Sequence, residues 1–261
     1  KLKPTLDLLR AARLVSAGCR NAIEQLTRMR ELSDGFQYQD DITSHKDCKV
    51  CQGRTYNFNS QTGTAEPCQA CSESGKTANI ERKIVEVSSP KIDALNDLLD
   101  ENEDIGRIVI YAGFTASIDR ICRHVEKQGW KFIRVDGRGW TNNINPNWDD
   151  LRALQEFQKV NDSPHDKIAF VGHPGSAGMG LTLTAASMIV YFSNDFNAES
   201  RIQSEDRIHR AGMDTNRGAT IVDFVLLPTD EKVLDNLKRK RELQSLSLGE
   251  LQSAINNYRE T

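Results

Sequence analysis

From Lys83 to Leu227, short apolar runs alternate with segments whose apolar residues recur at helical intervals, and this alternation constrains the fold more than any other feature. Lys83–Val87, Arg107–Ala112, Lys131–Val135, Lys167–Val171, Met188–Phe192 and Ala219–Leu227 read as strands. Between them stand four helical patterns. Pro90 opens one that carries Ile92, Leu95, Leu98 and Leu99, and a second holds Ile118, Ile121, Cys122 and Val125. Leu151, Leu154 and Phe157 line a third, and Ala198–Arg210 forms the fourth. A run apolar at nearly every position is buried on both faces, as parallel strands covered by helices are. The pattern therefore predicts an α/β fold with a parallel sheet and helices on both faces. Residues 230–258 are expected to close the chain as helices.

Upstream, Leu6, Leu9, Leu14 and Ala17, then Ile23, Leu26 and Met29, fit two helices with a break near Gly18. From Ser33 to about Ile80 the composition turns polar, with Gly, Asn and Cys and little periodicity. Such a stretch cannot bury enough apolar surface to hold itself together. The expected division is thus N-terminal helices over 1–36, an insertion over 37–82, the α/β lobe over 83–245 and a C-terminal helix over 246–261.

Four of the six cysteines supply what the insertion lacks. Cys48, Cys51, Cys68 and Cys71 make C-x₂-C-x₁₆-C-x₂-C. Each pair can bite one ion from a tight turn, and four thiolates close a tetrahedral structural zinc site with no open position for chemistry. In small fingers such binding contributes on the order of 10–16 kcal/mol to folding. His45, just before the first pair, is the alternative fourth ligand. Paired spacing of this kind belongs to a reducing compartment. The remaining two, Cys19 and Cys122, sit in helical patterns and read as core residues.

With 27% charged residues and no apolar run long enough to span a bilayer, the chain has the composition of a soluble globular protein without a membrane partner. A net charge of −3 is unlike a self-contained DNA-binding module, so contact with nucleic acid has to rest on a local surface. The basic stretches Arg10–Arg30 and Lys238–Arg241 fit solvated helix faces. The chain opens on Lys1 rather than Met, as a processed protein or an excised piece would.

Three motifs fail their own requirements. Gly75-Lys76-Thr77 resembles the end of a P-loop, but Ala70 stands where the first Gly is required. Asp100–Glu103 imitates an acidic magnesium box, yet the residues before it are spaced for a helix. Ser176 has Pro174 where a nucleophile elbow needs Gly.

Three other segments lie at strand ends, where open α/β sheets bind ligands. Ile108–Thr115 delivers Gly113, Phe114 and Thr115 to the sheet edge. In Gly172–Thr184 the small residues and Gly180 let backbone N–H groups approach a phosphate, with Ser176, Thr182 and Thr184 as hydroxyl donors. By itself this segment also fits a Gly-rich tight turn. In Gln203–Arg210 a continuous helix would put Gln203, Arg207 and Arg210 on one face, aiming two guanidiniums at one phosphoryl group. The plainer reading is an exposed helix with salt bridges to Glu199 or Asp206.

Together, Gly178–Ala186, the strand ending Val190–Asn197 and Gln203–Gly212 resemble the C-terminal lobe of superfamily 2 helicases, closest to the Swi/Snf-type ATPases and including helicase-like proteins of bacteriophages. Ile108–Thr115 is similar to that family's motif IV, 172–186 to motif V and 203–212 to motif VI. Ser89–Lys91 and Leu26–Phe36 resemble its flanking segments. Met213 departs from the family's usual Gln, Thr182 from a frequent Asn, and the zinc insertion is not general to it.

The resemblance implies a RecA-like second motor lobe of an ATP-dependent helicase or translocase. Arg207 and Arg210 would be catalytic, reaching ATP and magnesium held mainly by an upstream lobe of the same polypeptide. Gln203, Gly178 and Gly180 would line the nucleotide cleft. Thr115, Ser176 and Thr182 would touch one strand of double-stranded DNA. The chain alone, lacking a P-loop and acidic box, is expected to be inactive. The implied setting is the cytoplasm of a bacterial or phage-infected cell. Two alternatives remain: a non-enzymatic module whose zinc insertion binds nucleic acid or protein, and an RNA-directed motor.

Overall fold

The computed structural model describes residues 2–59, 61, 63–87, 90–159, 166–176, 181–209 and 218–245. They divide into two compact units, Lys1–Phe36 with Val87–Thr261, and Gln37–Glu86. In chain order the elements are α1 (Leu6–Gly18), α2 (Ala22–Ser33), β1 (Phe36–Asp47), β2 (Tyr56–Asn59), β3 (Thr64–Pro67), β4 (Lys76–Glu86), α3 (Pro90–Glu101), β5 (Arg107–Tyr111), α4 (Thr115–Lys127), β6 (Lys131–Asp136), β7 (Gly139–Asn142), α5 (Asp150–Gln158), β8 (Ile168–Gly172), β9 (Met188–Tyr191), α6 (Ala198–Glu205), β10 (Thr220–Asp223) and α7 (Pro228–Ser245).

The larger unit is a six-stranded sheet in the order β10-β9-β5-β8-β6-β7, parallel except for β7, which runs antiparallel to β6. Strand β7 escaped the sequence reading because its burial only alternates between exposed and half-buried along four residues. On β5 the pleat sends Ile108 and Ile110 to one face and Val109 and Tyr111 to the other. The first face packs on Ile92, Leu95 and Leu99 of α3 and Ile118, Ile121 and Val125 of α4. The second packs on Ala153 and Phe157 of α5 and on Leu183 and Ile208. Leu151, expected to line α5, is 65% exposed; two residues before Ala153, it falls on the face opposite the buried Ala153–Phe157 stripe. This is the parallel α/β arrangement with helices on both faces that the pattern predicts, and it agrees with the RecA-like lobe the resemblance implies.

Side-chain oxygens cap the helices at their starts: Thr5 for α1, Asn21 for α2, Asp149 for α5 and Asn197 for α6. Lys91, fully buried, holds Asp34 at 3.1 Å and Asp230 at 3.5 Å, while Ser117 Oγ donates to Asp34 at 2.6 Å. That network fastens the end of α2 to α3, α4 and the start of α7.

Helix α6 is shorter than expected. It stops at Glu205, and the carbonyl of Arg207 is drawn aside to accept the N–H of Leu183 at 3.0 Å. Asp100 and Glu101 end α3, and Lys76 opens β4, so the acidic-box and P-loop likenesses have the wrong local structure.

The smaller unit is a ribbon of β1 and β4 and an antiparallel hairpin of β2 and β3. The sequence placed only a short strand at Lys83–Val87 here. Strands exposed on both faces carry no apolar alternation to detect. Among the described residues, no helix is long and apolar enough to cross a membrane.

Candidate functional site

The carboxyl ends of β5, β8 and β9 bring several candidate residues to one edge. After Tyr111 the chain passes Gly113 and Phe114, and Thr115 opens α4 with its side chain exposed. Gly113 N–H donates to Ser193 Oγ at 2.9 Å, tying the β5 end to the β9 end. Beyond β8, Ser176 N–H donates to the carbonyl of His173 at 3.1 Å, closing a turn, and Ser176 is half-buried. Gly175 N–H donates to His173 Nδ1 at 3.1 Å, which leaves the ring proton on Nε2, 3.8 Å from Asp195 Oδ2.

Thr182 lies on the neighbouring loop, half-buried, and its carbonyl accepts from the Gln158 side-chain amide. Gln158 Oε1 in turn accepts Ala185 N–H at 3.1 Å, so the last residue of α5 holds this loop at both ends. Arg207 packs against the same loop. Its side chain is buried, with Nη1 3.4 Å from the carbonyl of Leu181. Beside it the Tyr111 phenol is wholly buried, and burial pushes its pKa up against the opposing pull of Arg207.

Gln203 sits apart from Arg207. It is exposed and donates to Glu199 Oε1 at 3.0 Å, because the end of α6 at Glu205 breaks the i, i+4, i+7 face. The single shared helix face expected from the sequence is therefore corrected. Arg210, Gly178 and Gly180 lie outside the described residues.

Two arginines that the sequence reading did not single out organise this edge. Arg201 donates to Asp223 at 2.6 and 3.1 Å, to Asn194 Oδ1 at 2.7 Å and to Glu205 Oε1 at 2.6 Å, over the Tyr191 ring at 3.4 Å. With Tyr191 Oη 2.5 Å from Ser204 Oγ, it bolts α6 onto β9 and β10. Arg30 donates to the carbonyl of Asn194 at 2.6 Å, with its guanidinium over Phe114 and Phe196 at 5.0 and 5.7 Å. Charge alone, in a chain with 34 Lys and Arg, gave no sign of either role.

The smaller unit holds a different site. The sulfurs of Cys48, Cys51, Cys68 and Cys71 all lie within 4.8 Å of one another and are buried. Cys48–Cys68 and Cys51–Cys71 stand at 3.9 and 3.7 Å. Four sulfurs each about 2.3 Å from one ion are about 3.8 Å apart in a tetrahedron, so the thiols fit zinc and are far from disulfide contact. The two knuckles cross-brace through Cys48 N–H to Gly75 O at 2.8 Å and Cys68 N–H to Thr55 O at 2.9 Å. Gly75, at φ +70°, is required there, since a Cβ would stand 2.7 Å from the carbonyl of Gly53. Backbone N–H groups of Cys51 and Val50 draw the Cys48 thiol down to about 7. His45 is exposed and outside the four-sulfur cluster.

Residues 90–212 match the family described as the helicase conserved C-terminal domain. Residues 90–212 thus carry a helicase C-terminal domain, in keeping with the superfamily 2, Swi/Snf-type lobe that the motifs resemble. The lobe is similar to the chromatin-remodeling ATPase INO80 of Debaryomyces hansenii, 29% identical over 66% of this chain and 12% of that protein. It resembles the human INO80 at 28% identity over 60% and 10%, and that of Cryptococcus neoformans at 27% over 62% and 9%. The chain thus spans about a tenth of the length of these relatives. A solved structure, the C-terminal part of the Fun30 ATPase domain, aligns with a TM-score of 0.47 at 24% identity, over 62% of this chain and 48% of that one. The segments likened to motifs IV, V and VI fall within the matched span, and the cysteine cluster lies before it in the sequence.

Proposed function

We propose that this lobe is the second half of an ATP-driven DNA translocase or helicase, working with an upstream RecA-like lobe that holds ATP and magnesium. Arg207 carries the reading. It is a buried arginine packed against the loop of motif V, inside the helicase-matched span. Its guanidinium stands at the edge of the sheet where the loop lies, with Nη1 3.4 Å from the carbonyl of Leu181. An arginine held at that edge suits a phosphoryl group brought up by the closed motor. Arg207 and Arg210 then reach the γ-phosphate when the lobes close, with Gln203, Gly178 and Gly180 at the nucleotide. Thr115, Ser176 and Thr182 face the phosphates of one DNA strand.

Arginine fingers contribute roughly 10³–10⁵ in rate. In the motor joined to its upstream lobe, Arg210→Ala is expected to lose at least about a thousandfold of DNA-stimulated ATP turnover while keeping the wild-type melting temperature. Full turnover by that variant would sink the proposal. The chain alone is expected to hydrolyse ATP at background rate.

A second reading is favoured by the separate compactness of 37–86. There the zinc unit itself is the binding module and the lobe an inert scaffold. DNA binding that vanished on deleting residues 48–71, in a protein with no ATP turnover in any context, would select it.

A further inference from the structure

We infer that Arg30 and Lys240 form a phosphate-binding pair at the strand-end edge of the lobe, where they take the backbone of duplex DNA; DNA as the source of that phosphate rests on the motor reading above. Both residues lie outside the helicase-matched span 90–212. They come from the two basic stretches of the sequence, Arg10–Arg30 and Lys238–Arg241, which read as solvated helix faces. These two cations are drawn instead to one short loop between β9 and α6. Arg30, in the last turn of α2, donates to the carbonyl of Asn194 at 2.6 Å. Lys240, on α7, donates to the carbonyl of Phe196 at 2.8 Å.

The pair is held in place but keeps its charge. Arg30 lies over Phe114 and Phe196 at 5.0 and 5.7 Å, and a Cβ added to Gly113 would stand 3.1 Å from its Nη2. Rings on the guanidinium fix its plane before any ligand arrives. Each cation spends an N–H on its carbonyl and has further donors for an anion. Neither makes an ion pair among the described residues. The surrounding carboxylates are engaged elsewhere. Arg201 holds Asp223 and Glu205, Arg241 also holds Glu205, and Lys91 holds Asp34 and Asp230. Arg28 lies 3.4 Å from Glu31, and Asp195 accepts Asn197 N–H at 2.9 Å with its other oxygen toward His173.

A cation on a carbonyl retains its full charge, whereas Arg201 between two carboxylates does not. Two such charges at one sheet edge suit phosphate oxygens. Position favours the nucleic acid over the nucleotide. Phe114, under the Arg30 guanidinium, is followed by the exposed Thr115, the residue proposed above to face a DNA strand. For a chain of net charge −3, the pair supplies the local cationic surface that DNA binding requires.

The test measures affinity for a fluorescent duplex over a series of salt concentrations, in the zinc-loaded motor joined to its upstream lobe. Each lost phosphate contact flattens the slope of log affinity against log salt by about 0.9, which is about eightfold in affinity at 0.1 M salt. Arg30→Met and Lys240→Gln are each expected to flatten the slope by that amount, and Arg30→Lys to restore it. Lys240 is exposed, so its variant reads charge without disturbing the core. Arg138→Gln, whose guanidinium is already neutralised by Asp119 and Asp136, is expected to leave the slope unchanged. Wild-type slopes in both Arg30→Met and Lys240→Gln overturn the inference, as does an equal flattening by Arg138→Gln. A raised KM for ATP with an unchanged slope would assign the pair to the nucleotide and also overturn it. A motor that loses turnover on Arg210→Ala while both slopes stay wild-type leaves the motor reading standing and this inference refuted. Flattened slopes in a protein that keeps turnover on Arg210→Ala would sink the motor reading and uphold the pair.

Discussion

The lobe and the zinc unit solve one problem by opposite means. In the lobe, strands β5, β8 and β9 are buried at every residue, and chain entropy is offset by apolar area on both faces of the sheet. In the zinc unit, β1 to β4 are exposed along nearly their whole length, and the buried cluster consists of the four cysteines. One unit is held by many weak contacts spread through a core; the other gathers four buried cysteines at one point, as a single bound ion would require. Damage should therefore be graded in the lobe and all-or-none in the zinc unit.

The sharpest way to break this contrast is to withdraw the metal. A chelator, or Cys68→Ser, is expected to remove on the order of 10 kcal/mol of folding free energy from residues 37–86. Hydrogen exchange should then show their amides unprotected while β5, β8 and β9 keep their protection; an insertion that stayed protected without zinc would end the comparison. Next comes the core. Phe170 meets Tyr111, Trp140 and Phe157 at ring distances of 6.1 to 6.5 Å, and Phe170→Ala should cost about 3–5 kcal/mol in denaturant unfolding with zinc stoichiometry unchanged.

A smaller loss is expected from Gly172→Ala. The added Cβ would stand 2.6 Å from the carbonyl of Val135, so β8 and β6 must shift, at about 1–3 kcal/mol. A midpoint equal to wild type would show the sheet edge to be softer than its packing suggests.

The smallest effect is electrostatic. The hydrogen-bonded Arg138 guanidinium, at 2.6 Å, holds the Asp136 carboxyl below its ordinary value of 3.8. A carboxylate whose folded pKa is depressed contributes stability that is present above its unfolded pKa and lost as pH falls through the folded one. Because Arg138 is 42% exposed, the contribution is about 1 kcal/mol or less. Asp136→Asn should lower stability by that amount at neutral pH and flatten the acid limb below about pH 4, read by thermal melts across pH. An unchanged acid limb would assign the acid sensitivity elsewhere.

The lobe was largely legible because burial on two faces writes itself into the sequence as unbroken apolar runs. Ile108–Tyr111 and Met188–Tyr191 are apolar at every position, and both are strands. The cysteine set was legible because ligand spacing is local. The β1–β4 ribbon and β7 were not, since exposed or half-buried strands leave no apolar alternation. At the candidate site, the segments were visible but their mutual arrangement was not. Arg30, Gln158 and Arg201 act on partners far along the chain, such as Asn194 on Arg30, 164 residues away.

By itself, then, the sequence determined the buried strands and the helices of the lobe, the four-cysteine set and the segments that meet at the strand ends. Tertiary structure decided that β5 lies between β9 and β8, that Lys91 closes on Asp34 across 57 residues, and that α6 stops at Glu205 so that Arg207 turns inward against Leu181 and Leu183. Periodicity records whether a residue is buried, which is a property of its own segment. Which surface buries it, and where a helix gives up a carbonyl to a neighbouring loop, depends on partners that no local pattern encodes.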